Sequence, residues 1–350
     1  MAAPAPDPRP RRGEDGWVLG VDSGGSGLRI AVARAAGGRV AAPARVVRAA
    51  PVRTGPRGID ADHLLRTLVP AARSLLGPAG AGEGGNAAAG GGPAGGLVAA
   101  AVGAAGMAGL GEELRAELPG ALEEALGVRR LALAADAVTA YAGALGVRPG
   151  VVVAAGTGAI ALGTDLRSGW RRADGWGHLL GDCGSGAWIG RAGLEAALRA
   201  HDGRAGGSSA LLERLRERFG APGSLPAALY PRSDRPAVLA SFAPDVAGCA
   251  DLDPVAAAIM ERAARHLLEA AAAARPPGPE CAVAFTGGLL RLGPALLVPL
   301  GALFQEFLPD AVPVAAGGDP LDGALRIAAT LSSGGPALPD DPLLLRVVAG

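Results

Sequence analysis

The chain is 350 residues long and balances 33 basic against 33 acidic residues, for a formal net charge of +0. Such neutrality lacks the basic excess that binding to a nucleic-acid backbone requires. Every basic residue is arginine, so a P-loop of the form GxxxxGK[ST], whose lysine sits on the β/γ-phosphates, is excluded.

At roughly 100–200 residues per domain the length gives two domains, each able to bury a core. Residues 1–15 are rich in proline, alanine and charge and read as a disordered lead-in without the apolar core of a secretory signal. From Trp17, VLGVD reads as a buried strand. LRIAVAR then alternates Leu28, Ile30 and Val32 with Arg29 and Ala31, the period of a second strand. A turn at Ala36-Gly37-Gly38 leads to a third strand within RVAAPARVVRA (39–49), so the first sheet opens as an antiparallel meander. Asp60 is placed to N-cap a helix carrying Leu64, Leu65, Leu68 and Val69 on one face. Residues 77–96, mostly glycine and alanine, read as a mobile surface loop. A strand at 97–103 follows, then a helix from about Glu112 to Leu126 that Pro119 is expected to divide, a strand at 130–135 and a helix opening at Asp136. This alternation predicts parallel strands joined by helical crossovers.

The second half opens with VVVAAGTGAIALG, two apolar strands around a Gly-Thr-Gly turn. It repeats the design of residues 17–33 and points to a duplicated architecture. Residues 184–274 read as mainly helical, with Asp253-Pro254 as an N-cap and N1 pair. CAVAFTGGLL (281–290) reads as a strand running into a glycine turn and a helix, AVPVA (311–315) as a strand, and Asp319-Pro320 as the start of a last helix through Leu331. No uncharged apolar run reaches about 18 residues, and Cys183, Cys249 and Cys281 are too scattered for zinc spacing. The expectation is a cytoplasmic chain with reduced thiols, no membrane association and no nucleic-acid partner.

Five stretches carry chemistry. In VDSGGSG a strand, not a helix, follows the glycines, which removes the dinucleotide-binding reading. The turn's N–H groups and the Ser23 and Ser26 hydroxyls are suited to a phosphate, and Asp22 to a hydrated Mg²⁺, although an ordinary Gly-rich hairpin fits the same residues. AAGTGAI supplies a second such turn at Gly156, Thr157 and Gly158, and FTGGLL a third at Thr286, Gly287 and Gly288. Asp136, at a strand end and helix start, reads as a general base for phosphoryl transfer or as an N-cap, and the two roles are compatible. GWGHLLGDCGSGAWIG (175–190) is the densest run. In it Asp182 is suited to sugar hydroxyls or metal-bound water and Trp176 to a pyranose face, while His178 reads as a hydrogen-bonded structural residue.

Together DSGGSG, AADAVTA, AAGTGAI, DGWGHLLGDCGSGAWIG and AFTGGLL, in this order, resemble the N-acetylglucosamine kinases of the BadF/BadG/BcrA/BcrD ATPase family, over residues 17–331. The resemblance implies an α/β fold of two ribonuclease H-like lobes, mixed sheets flanked by helices with ATP and sugar in the cleft between them. The first lobe would span 16–146, the second 147–333, and 334–350 would be a tail. It implies ATP and Mg²⁺ as cofactors, a small-molecule sugar as acceptor and a homodimer as the candidate assembly. Its phosphate loops fall on Asp22, Ser23, Gly24, Gly25 and Ser26 and on Gly156 to Gly158, its adenosine loop on Thr286 to Gly288, its catalytic aspartate on Asp136, and its sugar contacts on Gly175, Trp176, Gly177 and Asp182. The chain departs from the pattern in three places. The usual sugar-contacting asparagine has no counterpart in RTGPRG (53–58), the only asparagine being Asn86. Ala159 and Ile160 replace the hydroxyl or amide residues after the second turn, and Cys183 stands where the family often has an acid. The implied activity is phosphorylation of an amino sugar, N-acetylglucosamine foremost, with glucosamine and N-acetylmuramic acid as further acceptors. An ATPase that activates a partner enzyme is the alternative.

Overall fold

The computed structural model of the chain describes residues 15–24, 27–41, 44–55, 58–77, 96–107, 111–278, 281–334 and 338–349. The lead-in to residue 14, residues 78–95 of the glycine-alanine loop, and Gly25 and Ser26 of the first phosphate turn lie outside the described residues.

Strands β1 (Gly16–Gly24) and β2 (Gly27–Ala36) form an antiparallel hairpin with Gly24 opposite Gly27. Leu28, Ile30 and Val32 are fully buried, as their alternation predicts. The expected third strand is two pieces, β3 (Arg39–Val40) and β4 (Arg45–Ala49), both antiparallel to β2. A two-residue ladder of β5 (Thr54–Gly55) and β6 (Gly58–Ile59) precedes α1 (Ala61–Leu76), which Asp60 N-caps by accepting from the His63 N–H. On the other side of β1, β7 (Leu97–Ala104) and β8 (Arg130–Ala135) run parallel to it. Helix α2 (Glu112–Leu126) is continuous through Pro119, against expectation. Leu114 and Leu118 before the proline and Leu122 after it are buried in one row, so common packing of both halves outweighs the lost N–H.

Helix α3 (Asp136–Leu145) leads to the second sheet, and every residue from Ala137 to Leu145 is buried. That sheet repeats the first: a hairpin of β9 (Gly150–Ala155) and β10 (Ala159–Thr164), β11 (Trp170–Asp174) antiparallel beyond β10, and β12 (Cys281–Thr286) and β13 (Ala311–Pro313) parallel beyond β9. Both faces of β9 are covered. Val151 and Val153 enter one core and Val152 the other, which accounts for an unbroken apolar run instead of an alternating one. Between β11 and β12 stand α4 (Gly186–His201), α5 (Ser209–Phe219), α6 (Leu225–Leu229), α7 (Arg235–Ala240), α8 (Ala243–Cys249) and α9 (Pro254–Ala274). After β12 the chain makes a 3₁₀ turn at Gly288–Leu292 and then α10 (Pro294–Phe307).

The C-terminus departs from the expected division at residues 333 and 334. Helix α11 (Pro320–Ser333) leaves the second sheet and buries Leu321, Ala324, Leu325 and Ala328 in the first core. The expected tail supplies β14 (Leu345–Ala349), which pairs antiparallel with β8 at the edge of the first sheet. Gly20 of β1 makes the seat for this helix, since a Cβ there would lie 2.8 Å from the Leu325 Cγ. Helices α3 and α11 then cross at glycines: a Cβ on Gly143 would run into the Asp319 carbonyl, and one on Gly323 into the Thr139 carbonyl.

Gly323→Ala is therefore expected to lower stability by about 1–3 kcal/mol despite the better helix propensity of alanine. Gly120→Ala in α2, where a Cβ meets nothing within 4 Å, should be neutral or stabilising by up to about 1 kcal/mol. Urea unfolding midpoints of the two variants measure the contrast.

Candidate active site

The described residues of four of the five chemistry-bearing stretches lie at the carboxyl ends of strands, or just beyond them: Asp22 to Gly24 on β1, Asp136 after β8, Gly156 to Gly158 after β9 and Thr286 to Gly288 at β12. In open α/β sheets this is the side where ligands bind, because successive crossovers part there. Asp136 is the first residue of α3 and Ala135 its N-cap, so the N-cap role is not its own. Its Oδ1 accepts from the Ala137 N–H at 2.9 Å. Burial pushes the Asp136 carboxyl above the ordinary range, the Ala137 N–H pulls it back, and the charges of Asp22 and Asp182 push it up again. Carboxylates from three separate segments are thus near enough for the charges of Asp22 and Asp182 to act on Asp136.

Asp22 has a partner that the motif reading missed. In the hairpin register Asp22 stands directly opposite Arg29, whose Nε and Nη2 both donate to Asp22 Oδ2, at 2.9 and 2.7 Å. Arg29 Nη1 donates to Asp319 Oδ2, at the N-cap of α11. The guanidinium thus ties β2 to the helix that crosses between the sheets. Burial raises the Asp22 carboxyl, and its bond and charge contact with Arg29 oppose the rise. Both bonds fall on Oδ2, which leaves Oδ1 unengaged by the guanidinium. The register could have been read from the sequence, since pairing Gly24 with Gly27 also pairs 22 with 29; Asp319, 290 residues from Arg29, gives no local signal.

The second turn and the GWGHLLGD run form one unit. Gly156 and Thr157 carbonyls accept from the Gly186 and Ala187 N–H groups at the start of α4, at 2.9 and 3.0 Å. Asp182 sits against this turn: a Cβ on Gly158 would be 2.7 Å from Asp182 Oδ2. On its other side Asp182 Oδ1 accepts from the Gly177 N–H at 3.2 Å. Its backbone adopts φ 53, a left-handed conformation that costs a non-glycine residue free energy. Asp174, at the end of β11, holds it there by accepting from the Asp182 and Cys183 N–H groups at 2.7 and 2.8 Å. Burial raises the Asp182 carboxyl, the Gly177 N–H opposes this, and the charge of Asp174 adds to it. Trp176 is two-thirds exposed, with the Arg172 guanidinium 4.4 Å from its ring centre. Arg172 in turn donates to the carbonyls of Asp174 and Gly175. His178, expected to be a hydrogen-bonded structural residue, makes no hydrogen bond among the described residues. The third turn closes on the second, because a Cβ on Gly287, at φ 107, would run into the Ala155 carbonyl, while Gly288 faces open space.

An apolar cavity of about 140 Å³ lined by Ala142, Val147, Ile327, Leu331 and Leu345 lies elsewhere. It adjoins the C-terminal end of α3, roughly 15 Å along the helix from Asp136, and has no carboxylate in its lining. No helix among the described residues is long and apolar enough to cross a membrane.

Two sheets of one topology joined by a buried helix define the actin-like, two-lobed ATPase fold. Among solved structures the chain is similar to a candidate N-acetylglucosamine kinase of Chromobacterium violaceum, with a TM-score of 0.64 and 29% identity over 89% of this chain and 98% of that one. The fold is shared with a Streptomyces griseus ROK family glucokinase solved with glucose and AMPPNP, with a TM-score of 0.50 and 18% identity over 89% of this chain and 99% of that one. A model of the BadF/BadG/BcrA/BcrD ATPase family matches residues 19–300, and the chain belongs to that family. A stretch of 78 residues is 42% identical to the N-acetylmuramic acid/N-acetylglucosamine kinase of Clostridium acetobutylicum. The match spans 22% of this chain and only 25% of that relative.

A carboxyl whose proton affinity is raised in the folded state binds its proton more tightly there than in the unfolded chain. Stability is then lost as pH rises from the ordinary value of 3.8 through the raised one. Asp136→Asn is expected to raise the melting temperature by a few degrees at pH 7, with the gap over wild type narrowing as pH falls toward 4. Calorimetric melts across that range test it.

Proposed function

We propose that the chain is an ATP-dependent kinase for an amino sugar, N-acetylglucosamine to its 6-phosphate foremost, with Asp136 as the general base. The carrying observation is the Asp136 carboxyl at the start of a fully buried helix, raised by burial and by Asp22 and Asp182. Membership of an ATPase family and the names borne by the similar proteins support the reading.

The chain's own groups divide the work. The glycine turns after β1 and β9 offer backbone N–H groups to the phosphates. Asp22 Oδ1 is the group placed for a hydrated Mg²⁺. Among the described residues no cluster of three or more His, Cys, Asp or Glu could hold a metal, which suits Mg²⁺, an ion that keeps its waters and takes one or two carboxylates besides the phosphates. When bound, it would neutralise charge on the transferring phosphoryl group. Asp182 and the exposed Trp176 would hold the sugar. The acceptor hydroxyl donates to the Asp136 carboxylate, its oxygen bonds to the γ-phosphorus as the bond to ADP breaks, and the proton ends on Asp136. A raised proton affinity favours that transfer.

Purified protein with Mg·ATP and a panel of amino sugars should release ADP only with a cognate sugar, and Asp136→Asn should lower kcat at least about 10³-fold while leaving ATP binding nearly unchanged. Because the base acts ionised, the acid limb of the wild-type kcat profile is expected above the ordinary aspartate range. ADP release that is indifferent to sugar would overturn the kinase reading.

A further inference from the structure

The helix that carries the Asp136 carboxyl starts without a capping side chain. Its N-cap is Ala135, which has no side-chain acceptor for the first-turn N–H groups. What holds that start lies on either side of it in the first sheet. On one side Ala135 pairs with Ala104 of β7. On the other the Ala135 N–H donates to the Leu344 carbonyl at 2.8 Å. Leu344 comes from the far end of the chain and leads directly into β14, which runs from Leu345 opposite Ala134 to Ala349 opposite Arg130 and covers the outer side of β8. The family model ends at residue 300, so this segment lies beyond the part of the chain that it matches.

The segment is itself held at two points. Asp341 Oδ1 accepts from the Leu343 and Leu344 N–H groups at 2.8 and 2.9 Å, and Asp341 and Leu345 exchange two backbone bonds of 3.0 Å, which closes the turn that presents the Leu344 carbonyl. Upstream of this turn the Trp170 indole N–H donates to the Pro339 carbonyl at 2.7 Å. Trp170 opens β11 of the second sheet, and its ring meets that of Tyr141 edge-on, with centroids 5.2 Å apart. Tyr141 is a fully buried residue of α3. One indole therefore contacts both the segment and the helix that the segment supports. Asp174, at the other end of β11, holds the backbone of Asp182.

We propose that residues 338–349 are a positioning segment for the general base, with Trp170 and Asp341 as the positioning residues that hold it. The proposal rests on the reading of Asp136 as the base. Leu338, Leu344 and Leu345 anchor the segment in the first core, the indole bond ties it to the second sheet, and the Leu344 carbonyl then fixes the backbone one residue before Asp136. A base must lie within hydrogen-bond reach of the hydroxyl it deprotonates, and a misplacement of about 1 Å costs up to about 10²-fold in rate. Trp170 and Asp341 act through the backbone and not on the carboxyl itself, so their loss should slow the chemical step and spare ligand affinity.

The test uses the full-length chain with Trp170→Phe, which keeps a ring against Tyr141 but removes the N–H, with Asp341→Ala, which opens the turn, and with Asp341→Asn, whose amide oxygen still accepts. Turnover with Mg·ATP and the cognate sugar, the pH profile of kcat and backbone hydrogen exchange are read for each. Trp170→Phe and Asp341→Ala are expected to lower kcat about tenfold with both KM values within about twofold of wild type. Exchange should quicken at residues 135–137 and stay unchanged in β9, and the acid limb of kcat should move down toward the ordinary aspartate range as Asp136 loses its fixed, buried place. Asp341→Asn should restore all of these. If Trp170→Phe does not fold, the Asp341 pair decides alone. An unchanged kcat, or exchange quickened throughout the chain, overturns the positioning role while wild-type turnover upholds the kinase. Absence of turnover in wild type, with exchange quickened only at 135–137 in the variants, overturns the kinase and upholds the hold of the segment on the Asp136 backbone.

Discussion

The contact on which the site depends is the crossing of the helix that begins at Asp136 with the helix that begins at Pro320. Gly143 and Gly323 leave no side chain between them, so backbone meets backbone. The second helix is seated on the first sheet by Leu325 above Gly20, two residues before Asp22 on the same strand. This fixes Asp136 relative to Asp22, and it brings Asp319 to the guanidinium that already holds Asp22. A looser crossing would let the carboxylates drift apart.

Their convergence opposes stability. Asp22 and Asp182 each make the ionised form of Asp136 less favourable, and burial adds to the effect. The fold offsets this locally. Arg29 neutralises Asp22, backbone N–H groups hold Asp174 and Asp182, and the unfavourable backbone at Asp182 is stabilised by the two bonds to Asp174. Such concentration of like charge and strain in one place, with relief supplied by neighbours, is typical of sites that bind charged ligands.

Much of the first sheet was legible because its hairpin has a clean period of two and its glycines stand at the turn. The repeat of that pattern after residue 150 announced the second sheet. Pro119 misled, because local chemistry says that proline interrupts a helix, whereas Leu118 and Leu122 on either side of it share one core. His178 misled in another way: an isolated histidine suggested hydrogen bonding, whereas burial and the charge of Arg235 lower the proton affinity of its ring.

The sequence alone determined the turns, the strands that feed them and the identity of the chemical groups, since glycine at a turn, alternating apolar residues and an aspartate at a strand end follow from local backbone and side-chain physics. Only the tertiary structure decided that residues 320–333 and 345–349 return to the first sheet, that Arg29 joins Asp22 to Asp319, and that Asp174 holds the loop that carries Asp182. These depend on surfaces matched in shape across hundreds of residues, and nothing in a local window encodes which helix face will find which groove.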